Sequence, residues 1–139
     1  MKVFISHGHN EVVKLKLKDF LQNRLKVEPV ILAEQPDRGM TVIEKLETYG
    51  KDCQFAIIIL TADDETAYGG VRARQNVIHE LGFFHGLLGR ERVLLLKQAG
   101  VELFSNISGL IYKEFEGDNI EAIFEEIRKA IESLSAEGV

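Results

Sequence analysis

Glu44 is the candidate for bond-breaking chemistry in this sequence. It lies in Gly39-Met40-Thr41-Val42-Ile43-Glu44-Lys45-Leu46-Glu47, where a helical stretch follows a turn. A carboxylate in the first turn of a helix stays ionised, because the helix N-terminus favours negative charge. Facing a crevice, it could stabilise an oxocarbenium-like centre or attack it, as in glycoside chemistry. The same spacing has a structural reading. Thr41-x-x-Glu44 is a capping box, with Glu44 returning to the Thr41 backbone. Glu47, three residues on, reads as a solvated helix position.

Two further groups of residues suit an anion. Ser6-His7-Gly8-His9-Asn10 leaves a strand end and enters a helix start. Free N–H groups and the helix dipole make such a turn a phosphate site. Gly8 would let the backbone approach a ligand closely. An ordinary turn capped by Asn10 explains the same residues. It is not a P-loop, since no G-x-x-x-x-G-K-[ST] occurs. Arg72 and Arg74 stand just before another helix start, where the macrodipole disfavours cations. An anion between the two guanidinium groups would account for this. A solvated loop paired with Asp63, Asp64 or Glu65 would account for it equally.

Other chemistries fail on spacing. His79 and His85 are six apart, whereas zinc on one helix face needs two His at i and i+4. No metal site is expected. His85 is placed on an apolar stripe and His79 at the surface. Cys53 reads as a small buried hydrophobe. A phosphoacceptor site would need an Asp ending the third strand, and Leu60-Thr61 stands there.

The elements that must position these groups follow from hydrophobic period. Strands are predicted over Lys2–Ile5, Glu28–Leu32, Gln54–Leu60, Arg92–Leu96 and Leu110–Lys113. Helices are predicted over Glu11–Leu25, Thr41–Tyr49, Gln75–Leu88 and Asn119–Leu134. In the third helix the stripe is read as Ile78, Leu81, His85 and Leu88. Thr61–Arg74 reads as a long irregular segment. This alternation predicts an α/β flavodoxin-like three-layer sandwich with a five-stranded parallel sheet, order 2-1-3-4-5. Ligands in such sheets bind beyond the strand carboxyl ends, where strand order reverses. The loops at stake are Ser6–Asn10, Ala33–Met40 and Thr61–Arg74.

Composition agrees. The 139 residues are 45% hydrophobic and 28% charged, which fits one globular domain spanning 1–139. The single cysteine excludes an internally disulfide-stapled scaffold and suits a reducing, cytoplasmic setting. No apolar run approaches the roughly 20 residues that span a bilayer, and no leader is expected. A net charge of −5 argues against a nucleic-acid partner.

At these residues the chain resembles the TIR (Toll/interleukin-1 receptor) domain. It is most similar to the bacterial TIR-like, predicted nucleotide-binding branch that supplies effectors in cyclic-nucleotide anti-phage systems. The resemblance is carried by Val3-Phe4-Ile5-Ser6-His7-Gly8-His9-Asn10, Pro29-Val30-Ile31-Leu32, Glu34-Gln35-Pro36 and Thr41-Val42-Ile43-Glu44-Lys45. It continues through Leu60-Thr61-Ala62-Asp63-Asp64, Arg72-Ala73-Arg74-Gln75-Asn76-Val77-Ile78, Glu80-Leu81-Gly82-Phe83-Phe84 and Gly89-Arg90-Glu91-Arg92-Val93.

That resemblance implies the TIR fold and hydrolysis of NAD+ at the nicotinamide–ribose bond, with NAD+ as substrate and no cofactor. It implies Glu44 as the essential glutamate, with Glu47 as fallback. Ser6, His7, Gly8, His9 and Asn10 would line the pocket, with Arg38, Arg72 or Arg74 helping to hold the pyrophosphate. Many relatives carry an aromatic residue or Arg in the first loop, where this chain has His7 and His9. The resemblance also implies activation by assembly with other TIR domains, and a sensor domain elsewhere in a larger chain. Two alternatives stand beside it: a non-catalytic TIR interaction module and a nucleoside or nucleotide glycosyl transferase.

Overall fold

In the computed structural model, residues 1–65, 69–103 and 109–136 are described. In chain order the elements are β1 (Lys2–Ser6), α1 (Glu11–Asp19), β2 (Glu28–Ile31), α2 (Val42–Gly50), β3 (Phe55–Leu60), β4 (Asp64–Glu65), β5 (Val71–Arg72), α3 (Gln75–Leu88), β6 (Val93–Gln98), β7 (Val101–Glu102), β8 (Lys113–Phe115) and α4 (Phe124–Ala136). Five strands form one parallel sheet in the order β2-β1-β3-β6-β8. Counting only these five, the order is the 2-1-3-4-5 winding read from the sequence.

The sheet is built from apolar runs because helices cover both its faces. All six residues of β3 are buried. Alternation along β1 divides its side chains between the two layers. Val3 and Ile5 join a core with Val13 and Leu17 of α1 and Ile127 and Ile131 of α4. Phe4 joins the other core, with Leu46 of α2 and Val77, Leu81 and Phe84 of α3. Aromatic pairs tie each layer: Phe20 stacks on Phe124 at 4.0 Å, and Phe4 meets Phe84 at 4.5 Å. Ser6 follows Phe4 by two residues, so it lies on the α2–α3 side of β1.

Three local details differ from the sequence reading. The first helix does not run evenly to Leu25. It passes into a π turn over Phe20–Arg24, which Leu25 closes by donating to the Phe20 carbonyl at 3.1 Å. That shift buries Phe20 and Leu21 side by side. The last strand is Lys113–Phe115 rather than Leu110–Lys113. Phe115 is the residue that reaches the core, whereas Ile111 is 87% exposed. The segment read as irregular carries β4 and β5, which form a small sheet with β7 in the order β4-β5-β7. Its residues 66–68 lie outside those described.

Candidate functional site

A cavity of about 490 Å³ opens at the carboxyl end of β1. That volume is within the roughly 300–1,000 Å³ of small-molecule sites. β1 contributes Ile5, and the loop after it His7. The connection after β2 contributes Leu32, Ala33, Asp37 and Met40. The first turns of α2 contribute Val42, Ile43, Lys45 and Leu46, and the start of α3 contributes Arg74, Asn76, His79 and Glu80. The chain runs from β1 outward to β2, then returns across β1 to β3. The cavity therefore lies at the reversal of strand order, where α/β sheets bind ligands.

Glu80 is the buried carboxylate of this cavity. The buried side of α3 consists of Val77, Glu80, Leu81 and Phe84, at i, i+3, i+4 and i+7. Glu80 thus occupies a position that the helix otherwise fills with apolar side chains, and it is only 9% exposed. Burial pushes its carboxyl up to about 7. The Ser6 hydroxyl, Asn76 and the Arg74 charge hold back a larger rise. Asn76 donates from Nδ2 to Glu80 Oε1 at 3.4 Å. The Ser6 hydroxyl is buried beside Glu80 and makes no well-formed hydrogen bond among the described residues.

His7 is half-buried and its pKa lies below the ordinary imidazole value, chiefly because burial disfavours the cation. Its Nδ1 is 2.8 Å from the Gly8 carbonyl. A carbonyl only accepts, so Nδ1 carries the proton and the neutral ring keeps a free lone pair on Nε2. Lys45 is also buried, and its ammonium pairs with Asp37 at 2.6 Å.

Glu44 is placed elsewhere. Its Oε1 accepts from the Thr41 backbone N–H at 2.9 Å, and its own N–H donates to Thr41 Oγ1 at 3.1 Å. The capping box is complete. The side chain is exposed, is not among the residues lining the cavity, and has a pKa lowered mainly by the Thr41 backbone bond. Glu47 is exposed on the same helix.

The first loop is already occupied by an internal anion. The Asp63 carboxylate accepts from the His9 backbone N–H at 3.0 Å and from Thr61 Oγ1 at 2.9 and 3.0 Å. Gly8 leaves the room for it. Asn10 caps α1 by accepting from the Val13 N–H at 3.1 Å, and it donates to Asp118 at 2.7 Å. Of the sequence-selected residues, His7 and Arg74 line the cavity, and Ser6 lies behind it beside Glu80. Gly8, His9, Asn10, Arg38 and Arg72 are not among its lining residues.

Sequence reasoning missed Glu80, Asp37, Lys45 and Asn76 as cavity groups, and it placed His79 only at the surface. His79 is exposed and lines the cavity as well. The signal for Glu80 was an acidic residue at i+3 from Val77 and i−4 from Phe84. Among the described residues, no three His, Cys, Asp or Glu side chains are grouped as a metal would need, and no helix is long and apolar enough to cross a membrane.

Comparison with known proteins adds identity to this geometry. Residues 2–117 match the family described as the CAP12/Pycsar effector protein, TIR domain. The uncharacterized protein YuaY of Escherichia coli strain K12 is 40% identical over 120 residues, covering 83% of this chain and 40% of YuaY. The Pycsar effector protein BcPycTIR of Burkholderia cepacia is 36% identical over 104 residues, covering 66% of this chain and 34% of that protein. The chain thus spans well under half the length of these two relatives. The SEFIR domain of interleukin-17 receptor B superposes with a TM-score of 0.52 at 15% identity, covering 94% of this chain and 96% of that domain, which supports the fold alone. Fold, strand order and the match over most of its length together make this chain a member of the CAP12/Pycsar effector TIR-domain family.

Proposed function

We propose that the domain is an NAD+ glycohydrolase in anti-phage defence, with Glu80 as the reacting carboxylate. One observation carries the reading: Glu80 is a carboxylate buried in the wall of the switch-point cavity, whose lining is otherwise largely apolar, with Leu32, Met40 and Leu46 among it. This moves the reactive group from Glu44, whose carboxylate is engaged by the Thr41 backbone. Family membership supports the setting, and the chemistry supports the residue.

The nicotinamide ring of NAD+ is a pyridinium cation. Bound near Glu80, it lowers that residue's pKa and favours the carboxylate. The bond between ring nitrogen and ribose carbon then breaks, and its electron pair goes to the ring, which leaves as neutral nicotinamide. No general acid is required. Glu80 stabilises the ribosyl cation left behind or bonds to it, and water completes the reaction. The oxygen of water joins the ribose carbon and one proton is released, giving ADP-ribose.

Assembly belongs to the same proposal. Val42 and Ile43, at the cavity rim on α2, are 75% and 58% exposed. A neighbouring TIR domain covering them would dry the site and strengthen its electrostatics. A sensor in a further domain of a longer protein would set that assembly in motion.

Concentrated protein is incubated with NAD+, with and without a crowding agent, and nicotinamide is quantified by chromatography. Release that disappears in Glu80→Gln and persists in Glu44→Gln is the expected result. No release from any assembled form would leave an interaction module. Base exchange on nucleosides without NAD+ turnover would mark a glycosyl transferase.

A further inference from the structure

Lys45 and Asp37 form an unequal pair. The Lys45 side chain is 11% exposed, whereas that of Asp37 is 81% exposed. Both line the cavity. The contact is a short charge-assisted hydrogen bond of 2.6 Å. An ammonium has three donors, and among the described residues Asp37 is the protein partner of one. The ammonium sits where water is scarce and needs an anion. The carboxylate sits where water is plentiful and can be released at small cost.

The turn bearing Asp37 does not depend on this contact. Met40 N–H donates to the Asp37 carbonyl at 2.9 Å, and Arg38 and Gly39 have φ of +49° and +73°. Tyr49 donates its hydroxyl proton to the Pro36 carbonyl at 3.0 Å. The backbone is therefore held by its own bonds, and the Asp37 side chain can rotate away while the turn persists.

The cavity is also polarised. Its buried carboxylate is on α3, and its buried ammonium is on α2. A dinucleotide with a cationic ring at one end and a diphosphate beyond the ribose carries the complementary charges. The geometry points to Lys45 as the receiver of the substrate diphosphate, with Asp37 as a resting counter-ion that the diphosphate displaces. This rests on the dinucleotide reading above and assigns the residue that selects for phosphate.

The test is equilibrium binding, which needs no turnover. ADP-ribose and adenosine are titrated calorimetrically into wild type, Asp37→Asn and Lys45→Met. Asp37→Asn should tighten ADP-ribose about two- to five-fold, because a competing anion is gone. Lys45→Met should weaken it about tenfold or more. Adenosine, which lacks phosphate, should bind all three proteins alike. Unchanged or weaker ADP-ribose binding in Asp37→Asn overturns the proposal, and this exposed substitution keeps the test valid even where Lys45→Met fails to fold. Equal loss of adenosine in Lys45→Met, or no ADP-ribose binding by wild type, also overturns it. Nicotinamide release that ignores both substitutions sinks this assignment alone. Lys45-dependent ADP-ribose binding without any nicotinamide release sinks the glycohydrolase alone.

Discussion

A side-chain carbon placed on Gly8 would collide with the Asp63 carboxylate, whose Cγ it would approach to 2.6 Å. Asp63 cannot easily move aside. Thr61 and the His9 N–H hold its oxygens, and its own N–H donates to the carbonyls of Thr61 and Arg72 at 2.9 and 3.1 Å. The glycine is therefore needed for an internal anion, where the sequence had suggested an external one.

Gly8→Ala should lower stability by about 1–3 kcal/mol, the range for overpacking a tight contact. Asp63→Ala in the same chain should recover part of that loss, because the two sites touch. Urea denaturation of the single and double variants measures the coupling. Purely additive losses would show that the two groups do not compete for space.

Glu44 and Glu80 should separate stability from chemistry. Glu44→Ala removes half of a capping box and should lower the unfolding temperature slightly, while nicotinamide release per folded molecule stays near wild type. Glu80→Gln should abolish release and leave the fold intact. Thermal unfolding and a product assay on the same samples check both. Full activity in Glu80→Gln would falsify the assignment of the carboxylate.

The pH dependence follows from Glu80's raised pKa of about 7. The native state binds this proton more tightly than the unfolded chain does, so its contribution is fully present below the ordinary value of 4.5. It is lost as pH rises through about 7, and the loss amounts to roughly 3 kcal/mol. Glu80→Gln should therefore match wild type near pH 4 and exceed it near pH 8 by about that amount. Glu44, Glu11 and Glu121, whose pKa values are lowered, act oppositely at acid pH but are common to both proteins. Wild-type kcat/KM should rise with pH and level off above about 7. Denaturation and initial rates across this range test both statements.

Cys53 should resist thiol reagents in the native state. It is buried, donates to the Tyr49 carbonyl at 3.5 Å, and burial pushes its thiol up to about 12. Iodoacetamide labelling should proceed only at the rate of unfolding. Rapid labelling of folded protein would contradict this.

The sheet was legible because a strand covered on both faces must be apolar throughout, as Phe55–Leu60 is. The caps at Asn10 and Thr41 were legible because they depend on residues three apart in sequence. Glu80 was not legible, and the cause is helix phase. Reading the stripe as Ile78, Leu81, His85 and Leu88 turns α3 by less than one residue, roughly 70°, from the buried side Val77, Glu80, Leu81 and Phe84. Leu81 belongs to both stripes and hid the error. The occupation of the first loop was beyond local pattern altogether, since Asp63 is 54 residues from His9. The same holds for β8, where exposed Ile111 attracts the strand assignment that Phe115 deserves.

In α2, three consecutive residues do three unrelated things: Glu44 closes the helix start, Lys45 enters the cavity, and Leu46 anchors the core. Neighbours on a helix are about 100° apart, so the three directions are locked together like wards on one key. Adding a single residue just after Thr41 would swing an acid toward the pocket, a cation toward the oil and a leucine toward the water. Evolution can exchange side chains along this segment, but it can alter the segment's length only by rebuilding the pocket rim as a whole.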